Sequence, residues 1–354
     1  MKTSDRKAGE FIKNNSDQLA KEILITHSEN KKKYKINMGD DNPGIYLNEV
    51  KFQLAYLSES LLYSAPELFF NALSWGKIFL PSVNVPSEGI EFMLRAMKET
   101  LKVKLPEEIK SSAVDFIEDA IKIVNDLPSQ IPSFLNSKRK LYSESKKYLE
   151  LLLVNNKSEA NKLILHLVTK GTEIKDIYLE IFQPTQYELG RMWQMGMINV
   201  SQEHYCTAAT QLIMAQLYPY IFKTKKTENV FVGTCVSGEL HEIGIRMLSD
   251  FLELKGWNTF YLGANMPNDS IIQTIIDRKP DVIGISATMT FHVEKAERLI
   301  KAIRDTSECS NSKIIVGGYV FKLNDMLWSK IGADMYGEDL ENAFKKVSDS
   351  VLTA

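Results

Sequence analysis

From residue 229 onward the chain alternates short β-rich runs with amphipathic helical segments, and that alternation leaves few folds open to it. The runs are VFVGTCV, TFYLG, DVIGISAT, KIIVGG and ADMYG. Runs that are apolar almost throughout belong in a sheet covered on both faces, and the helical segments between them supply the cover. Five βα repeats predict a flavodoxin-like, doubly wound parallel sheet of the Rossmann-like kind over residues 229–354. Ligands of such sheets sit beyond the carboxyl ends of the strands, which directs attention to the loops after residues 236, 263, 288 and 318.

A chain of 354 residues is long for one core, and its first part reads differently. Residues 1–135 predict helices over 3–28, 45–64, 66–79, 87–104 and 106–127, separated by NMGDDNPG, by the segment around Pro81 and Pro86, and by Pro106 and Pro128. Residues 139–225 form a second helical stretch, in which SEANKLILHLVTKG and SQEHYCTAATQLIMAQLYPYIF show apolar residues at helical spacing. They predict a compact helix bundle, and the polar KTKKTEN at 223–229 hands over to the sheet. The expected class is multidomain, all-α followed by α/β.

Forty-three basic against 45 acidic residues leave a net charge of -2, so nothing draws the chain as a whole to nucleic acid or an anionic membrane. Lys31, Lys32, Lys33 and Lys35 read as a solvated loop. Cys206, Cys235 and Cys309 are too far apart for a disulfide framework or a CxxC metal pair, which fits a reducing compartment. The start MKTSDRKAGE has no signal-peptide core and no apolar stretch is long enough to span a bilayer, so the expected location is cytoplasmic.

The loop after the first predicted strand reads Ser237-Gly238-Glu239-Leu240-His241-Glu242-Ile243-Gly244. A histidine entering a helix among carboxylates is what helix capping alone can produce, so the rest of the rim must decide its role. Glu239, two residues before His241, is placed to accept the second ring N–H, which fixes the tautomer and strengthens the other nitrogen as a donor. Gly244 leaves room at the helix start. Ser286 and Thr288 end the third strand and Gly317-Gly318 the fourth, putting hydroxyls and bare backbone on the same rim.

The ordered set ExHxxG, SxT and GG resembles the cobalamin-binding domain of methionine synthase, corrinoid proteins and adenosylcobalamin mutases. The resemblance implies that His241 is the lower axial ligand of cobalt and Glu239 the carboxylate that takes its other ring N–H. It implies too that Gly244, Ser286, Thr288, Gly317 and Gly318 line a channel for the detached nucleotide tail. Many members have Asp where this chain has Glu239; the longer side chain predicts a looser or water-bridged bond to His241.

Upstream, Tyr187-Glu188-Leu189-Gly190-Arg191-Met192-Trp193-Gln194 precedes Glu203-His204, with nine residues between Trp193 and Glu203. Tryptophan followed at this distance by Glu-His is similar to the cobalamin-dependent photoreceptors, as are GELHEIG and YLGAN. The resemblance, over about residues 140–345, implies a four-helix bundle capping the upper cobalt face, with Trp193 against an adenosyl group and Glu203 and His204 in the same pocket. Where repressor-type members have a light-state histidine this chain has Gln194, so His204, His292 or water would take that place. Cys206 and Cys235 read as buried structural thiols.

Residues 1–135 are too long and too acidic for the DNA-binding helix-turn-helix of light-responsive repressors. By helix pattern they resemble the globin-like sensor domains of photoglobins and photocobilins. His27, the one histidine before residue 150, sits in the first predicted helix and not at a proximal position, so no haem is expected. A bilin such as biliverdin is a second chromophore the resemblance allows, with Tyr46, Phe52, Tyr56, Tyr63, Phe69, Phe70, Trp75 and Phe79 as slot or ordinary core, and Arg95 or a lysine to meet its propionates.

The expectation is a light-sensing protein without catalytic residues, in which photolysis of adenosylcobalamin changes conformation or assembly of a homo-oligomer. The alternative is a corrinoid shuttle for methyl transfer. A mutase fragment is disfavoured because nothing has the strand count of its barrel.

Overall fold

The computed structural model describes residues 3–34, 43–87, 89–309 and 311–352. Lys35 and residues 37–42 of the NMGDDNPG break lie outside the described residues. The chain divides into two compact units. One is Met1–Gln130 with Met289–Glu294 and Tyr319–Ile331; the other is Ile131–Thr288 with Lys295–Gly318 and Gly332–Ala354.

The first unit is built on α1 (Thr3–Asn14), α2 (Ser16–Tyr34), α3 (Pro43–Tyr63), α4 (Pro66–Phe79), α5 (Gly89–Lys104) and α6 (Glu107–Ile123). The single helix expected over 3–28 is two, parted at Asn15, whose side-chain amide donates to the Phe11 carbonyl at 2.8 Å. Asparagine competes with the helical ladder in this way. Pro66 opens α4 at a position where its missing N–H costs nothing. Apolar residues of α3, among them Val50, Leu54, Leu57 and Leu61, are buried together with Phe69 and Leu94.

The aromatic run packs largely on itself. Phe52 lies 4.7 Å from Tyr56 and 5.8 Å from Trp75, Trp75 stacks on Phe79 at 4.8 Å, and Phe291 stands 6.2 Å from both Phe52 and Tyr56. His27, in α2 and not in a first long helix, is buried with its ring 5.1 Å from Tyr46 and 4.8 Å from Phe92. His292 belongs to this unit, buried with its ring 4.6 Å from that of Phe291. Among the described residues no helix is long and apolar enough to cross a membrane.

In the second unit the cap consists of α7 (Tyr142–Leu153), α8 (Lys157–Thr169), α9 (Ile174–Ile177), a π-helical turn at Tyr178–Phe182, α10 (Gln183–Gln194), α11 (Val200–Ala215) and α12 (Tyr218–Ile221). The π turn runs straight into Pro184, which has no N–H for the ladder, and the Gln183 amide bonds back to the Tyr178 carbonyl instead. A capping box starts α11: Asn199 accepts from the Gln202 amide at 2.9 Å and Gln202 accepts from the Asn199 amide at 3.1 Å. It places Glu203 in the first turn, with His204 directly after it.

The sheet follows as β1 (Val230–Cys235), α13 (Ile243–Leu254), β2 (Asn258–Gly263), α14 (Asn268–Arg278), β3 (Val282–Ser286), α15 (Val293–Asp305), β4 (Lys313–Gly317), α16 (Leu327–Lys330), β5 (Met335–Gly337) and α17 (Leu340–Leu352). All pairings are parallel in the order β2-β1-β3-β4-β5. The order reverses between β1 and β3, which opens a crevice beyond their carboxyl ends. Helix α13 presses closely on these two strands: a Cβ at Gly284 would come within 2.5 Å of the Phe231 ring and 2.9 Å of Ile245. Bare backbone there seats α13, and with it the loop that leads into the helix.

Candidate functional site

The loop from Val236 to Glu242 leaves β1 at the crevice. Its turn is closed by the Glu239 amide donating to the Val236 carbonyl at 3.0 Å. Asn265, beyond β2, holds it from outside: its side chain accepts from the Gly238 amide at 2.7 Å and its own amide donates to the Glu239 carbonyl at 2.9 Å.

Glu239 is fully buried, and its carboxylate is satisfied by several donors. Oε1 accepts from the His241 amide at 2.9 Å and lies 2.6 Å from His241 Nδ1, while Oε2 accepts from the Thr288 amide at 2.6 Å. A buried carboxylate needs such partners to stay ionised. The expected loose or water-bridged contact is therefore corrected: the longer side chain reaches Nδ1 directly.

That bond, against the opposing effect of burial, holds His241 above the ordinary imidazole value, and the charges of Glu239 and then Glu203 add to it. With the Nδ1 proton given to Glu239, Nε2 carries the lone pair, and the His241 side chain is 62% exposed while Glu239 is at 0%. Metal-ligating histidines are commonly anchored in this way, through the second ring nitrogen to a carboxylate. Among the described residues no three His, Cys, Asp or Glu gather into a metal cage.

The rest of the rim has mixed origins. A Cβ at Gly244 would meet nothing within 4 Å, so open space lies beside the start of α13. At Gly317 the nearest atom to such a Cβ is the Gly337 carbonyl, 3.8 Å away. Gly318 has φ +111, and a Cβ would fall 2.0 Å from the Ala287 carbonyl oxygen, so the backbone itself requires glycine there. Ser286 is buried at the end of β3, and the Cys235 thiol beside it on β1 donates to the His241 carbonyl at 3.9 Å. Thr288 serves Glu239 through its main-chain N–H rather than its hydroxyl.

On the cap side, Glu203 is half-buried and hydrogen-bonds two neighbours. Its Oε1 lies 2.7 Å from the Thr207 hydroxyl and its Oε2 2.5 Å from His204 Nδ1. His204 points to solvent with its side chain 73% exposed, and Trp193 is half-buried on the cap core. Cys206 and Cys235 are buried thiols, pushed by desolvation up to about 11 and about 12.

Sequence reasoning missed Asn265 and Glu242. Glu242 accepts from Gln211 Nε2 at 2.7 Å and from the Tyr261 hydroxyl at 2.6 Å. Nothing in their spacing along the chain announces these long-range partners.

Residues 229–345 match the family model described as a B12 binding domain, and residues 145–218 match a second model of the same description. The chain is 27% identical over 169 residues to dimethylamine corrinoid protein 2 of Methanosarcina acetivorans, covering 48% of this chain and 75% of that protein. It is 29% identical over 126 residues to the trimethylamine corrinoid protein of Methanosarcina barkeri, covering 35% of this chain and 56% of that protein. In fold it is similar to the Methanosarcina barkeri monomethylamine corrinoid protein, with a TM-score of 0.53 at 20% identity over 59% of this chain and 99% of that one. One matched domain lies over the cap and the other over the sheet that bears His241, and on these grounds the chain is a cobalamin-binding protein.

Proposed function

We propose that this chain is a corrinoid carrier protein: it holds cobalamin between cap and sheet, with His241 below the cobalt, and presents a methyl group on the upper face to partner enzymes. The reading is supported by relatives that are corrinoid proteins named for methylamines. The observation that carries it is the direct bond from buried Glu239 to His241 Nδ1, which leaves Nε2 for the metal. Cobalamin supplies a cobalt that takes up and releases an upper carbon group. The chain's own residues position it: Glu239 fixes the imidazole, and the open space at Gly244 with Ser286, Gly317 and Gly318 on the strand rim receives the nucleotide tail.

A second reading, a light sensor carrying adenosylcobalamin, is favoured by one feature. Glu203 follows Trp193 at the spacing of cobalamin photoreceptors, and its carboxylate lies 2.5 Å from His204 Nδ1 on α11. In that reading Trp193, Glu203 and His204 shape the adenosyl pocket. A bilin forms no part of either reading, since Phe52, Tyr56, Trp75 and Phe79 pack on one another and on Phe291.

One experiment separates the two. The protein is loaded in the dark with methylcobalamin or adenosylcobalamin, then kept dark with a small thiol acceptor or illuminated. Methyl transfer in the dark, with light merely bleaching the cofactor, supports the carrier. A stable dark methyl form, with adenosyl photolysis changing the elution volume, supports the sensor.

A further inference from the structure

The loop that bears His241 is gripped from several directions, and most of the grips come from the sheet. Asn265 follows β2, Thr288 follows β3, and Lys295 of α15 donates to the Ser237 carbonyl at 2.9 Å. One grip comes from the cap. Gln211, on α11, donates through Nε2 to Glu242 Oε1 at 2.7 Å, and Glu242 is the residue directly after His241. The other oxygen of Glu242 accepts from Tyr261 of β2 at 2.6 Å, so this carboxylate bridges cap helix and sheet beside the ligand.

Helix α11, which also carries Glu203 and His204, is thus tied by a hydrogen bond to the residue next to His241. Tyr261, half-buried on β2, donates through its hydroxyl to Glu242 from the side opposite Gln211.

We propose that Gln211–Glu242 is a positioning latch: with α11 seated, it fixes the backbone at His241, and lifting the cap away weakens the hold of that histidine on cobalt. The inference rests on the reading that His241 ligates the metal. Because coupling of two equilibria is reciprocal, ligation by His241 in turn favours the seated cap. Tyr261 keeps Glu242 partly anchored when Gln211 is lost, so the effect is a weakening and not an abolition.

The test uses the full-length protein loaded with cobalt(II) cobalamin. Axial nitrogen splits the electron paramagnetic resonance signal, and the split fraction is followed as the pH is lowered from about 8 to about 5. Gln211→Ala should raise the midpoint of histidine release by about half a pH unit, a roughly threefold loss of ligation, and Gln211→Glu, which sets two carboxylates together, by about one unit. Melting of the apo-proteins checks folding, and Gln211→Ala decides alone if Gln211→Glu does not fold. Midpoints equal to wild type in variants that bind cobalamin overturn the latch and leave the ligand assignment standing. Absence of nitrogen splitting in the wild type, or its persistence in His241→Ala, overturns the ligand assignment and the latch with it.

Discussion

The Tyr178 hydroxyl donates to Asp250 Oδ2 at 2.7 Å, joining the π-helical turn of the cap to α13 through two buried groups. Burial dominates the acid and raises it from 3.8 to about 6, against the opposing pull of Tyr178 and Arg246, while Glu253 adds to the rise. A folded value above the unfolded one means a contribution to stability that is whole below about pH 4 and lost as the pH climbs through about 6. Asp250→Asn keeps an acceptor for Tyr178 and removes the charge. It should stabilise the protein by about 1–3 kcal/mol at neutral pH and by almost nothing near pH 4. Thermal melts at the two pH values check this; a lower midpoint at neutral pH would show that Asp250 serves as the partner of Arg246.

Replacement of His241 by alanine should leave the fold intact, because the side chain is largely exposed on a loop. Bound cobalamin should then take the base-off absorption spectrum. Glu239→Ala should act differently, since it strands the part-buried Thr288 and His241 amides, and a loss of about 1–3 kcal/mol in stability is expected beside the weaker ligation. Chemical unfolding of the two apo-variants measures the contrast, and equal stability would contradict the buried clamp.

The rim glycines should separate under substitution. Gly318→Ala meets both a positive φ and the Ala287 carbonyl, so a loss of about 2–4 kcal/mol and a poorly folded rim are expected. Gly244→Leu enters open space, and the apo-protein should keep its stability within about 1 kcal/mol. If that space takes the nucleotide tail, its cobalamin affinity should nevertheless fall about tenfold or more. Equilibrium binding of hydroxocobalamin supplies the comparison, and undiminished affinity would place the tail elsewhere.

His204→Ala should have little influence on the illuminated spectrum of the adenosylcobalamin-loaded protein, because its ring faces solvent and is engaged by Glu203. A spectral change specific to this variant would instead mean that α11 turns on illumination and delivers His204 to the metal. Absorption difference spectra before and after light distinguish the outcomes.

The five strands and their covering helices were legible because apolar runs and helical spacing are local signals. The Glu239–His241 pair was legible because its two members sit two residues apart on one loop. The break at Asn15 was not, since it turns on one side chain bonding back to Phe11. Neither was the π turn, whose cause, Pro184, looks from sequence like a helix interruption rather than a widening of it. The grips of Asn265 and Gln211 arise only after strands and cap have met, and no spacing along the chain encodes them.

The third donor to Glu239 is a main-chain amide. Among side-chain replacements at Thr288, proline alone deletes it. Drift at this position can therefore run through nearly every residue type without disturbing the carboxylate that holds His241. A comparison of distant relatives by letters would then report a variable site where the chemistry is constant, and only a backbone alignment would reveal what has been preserved.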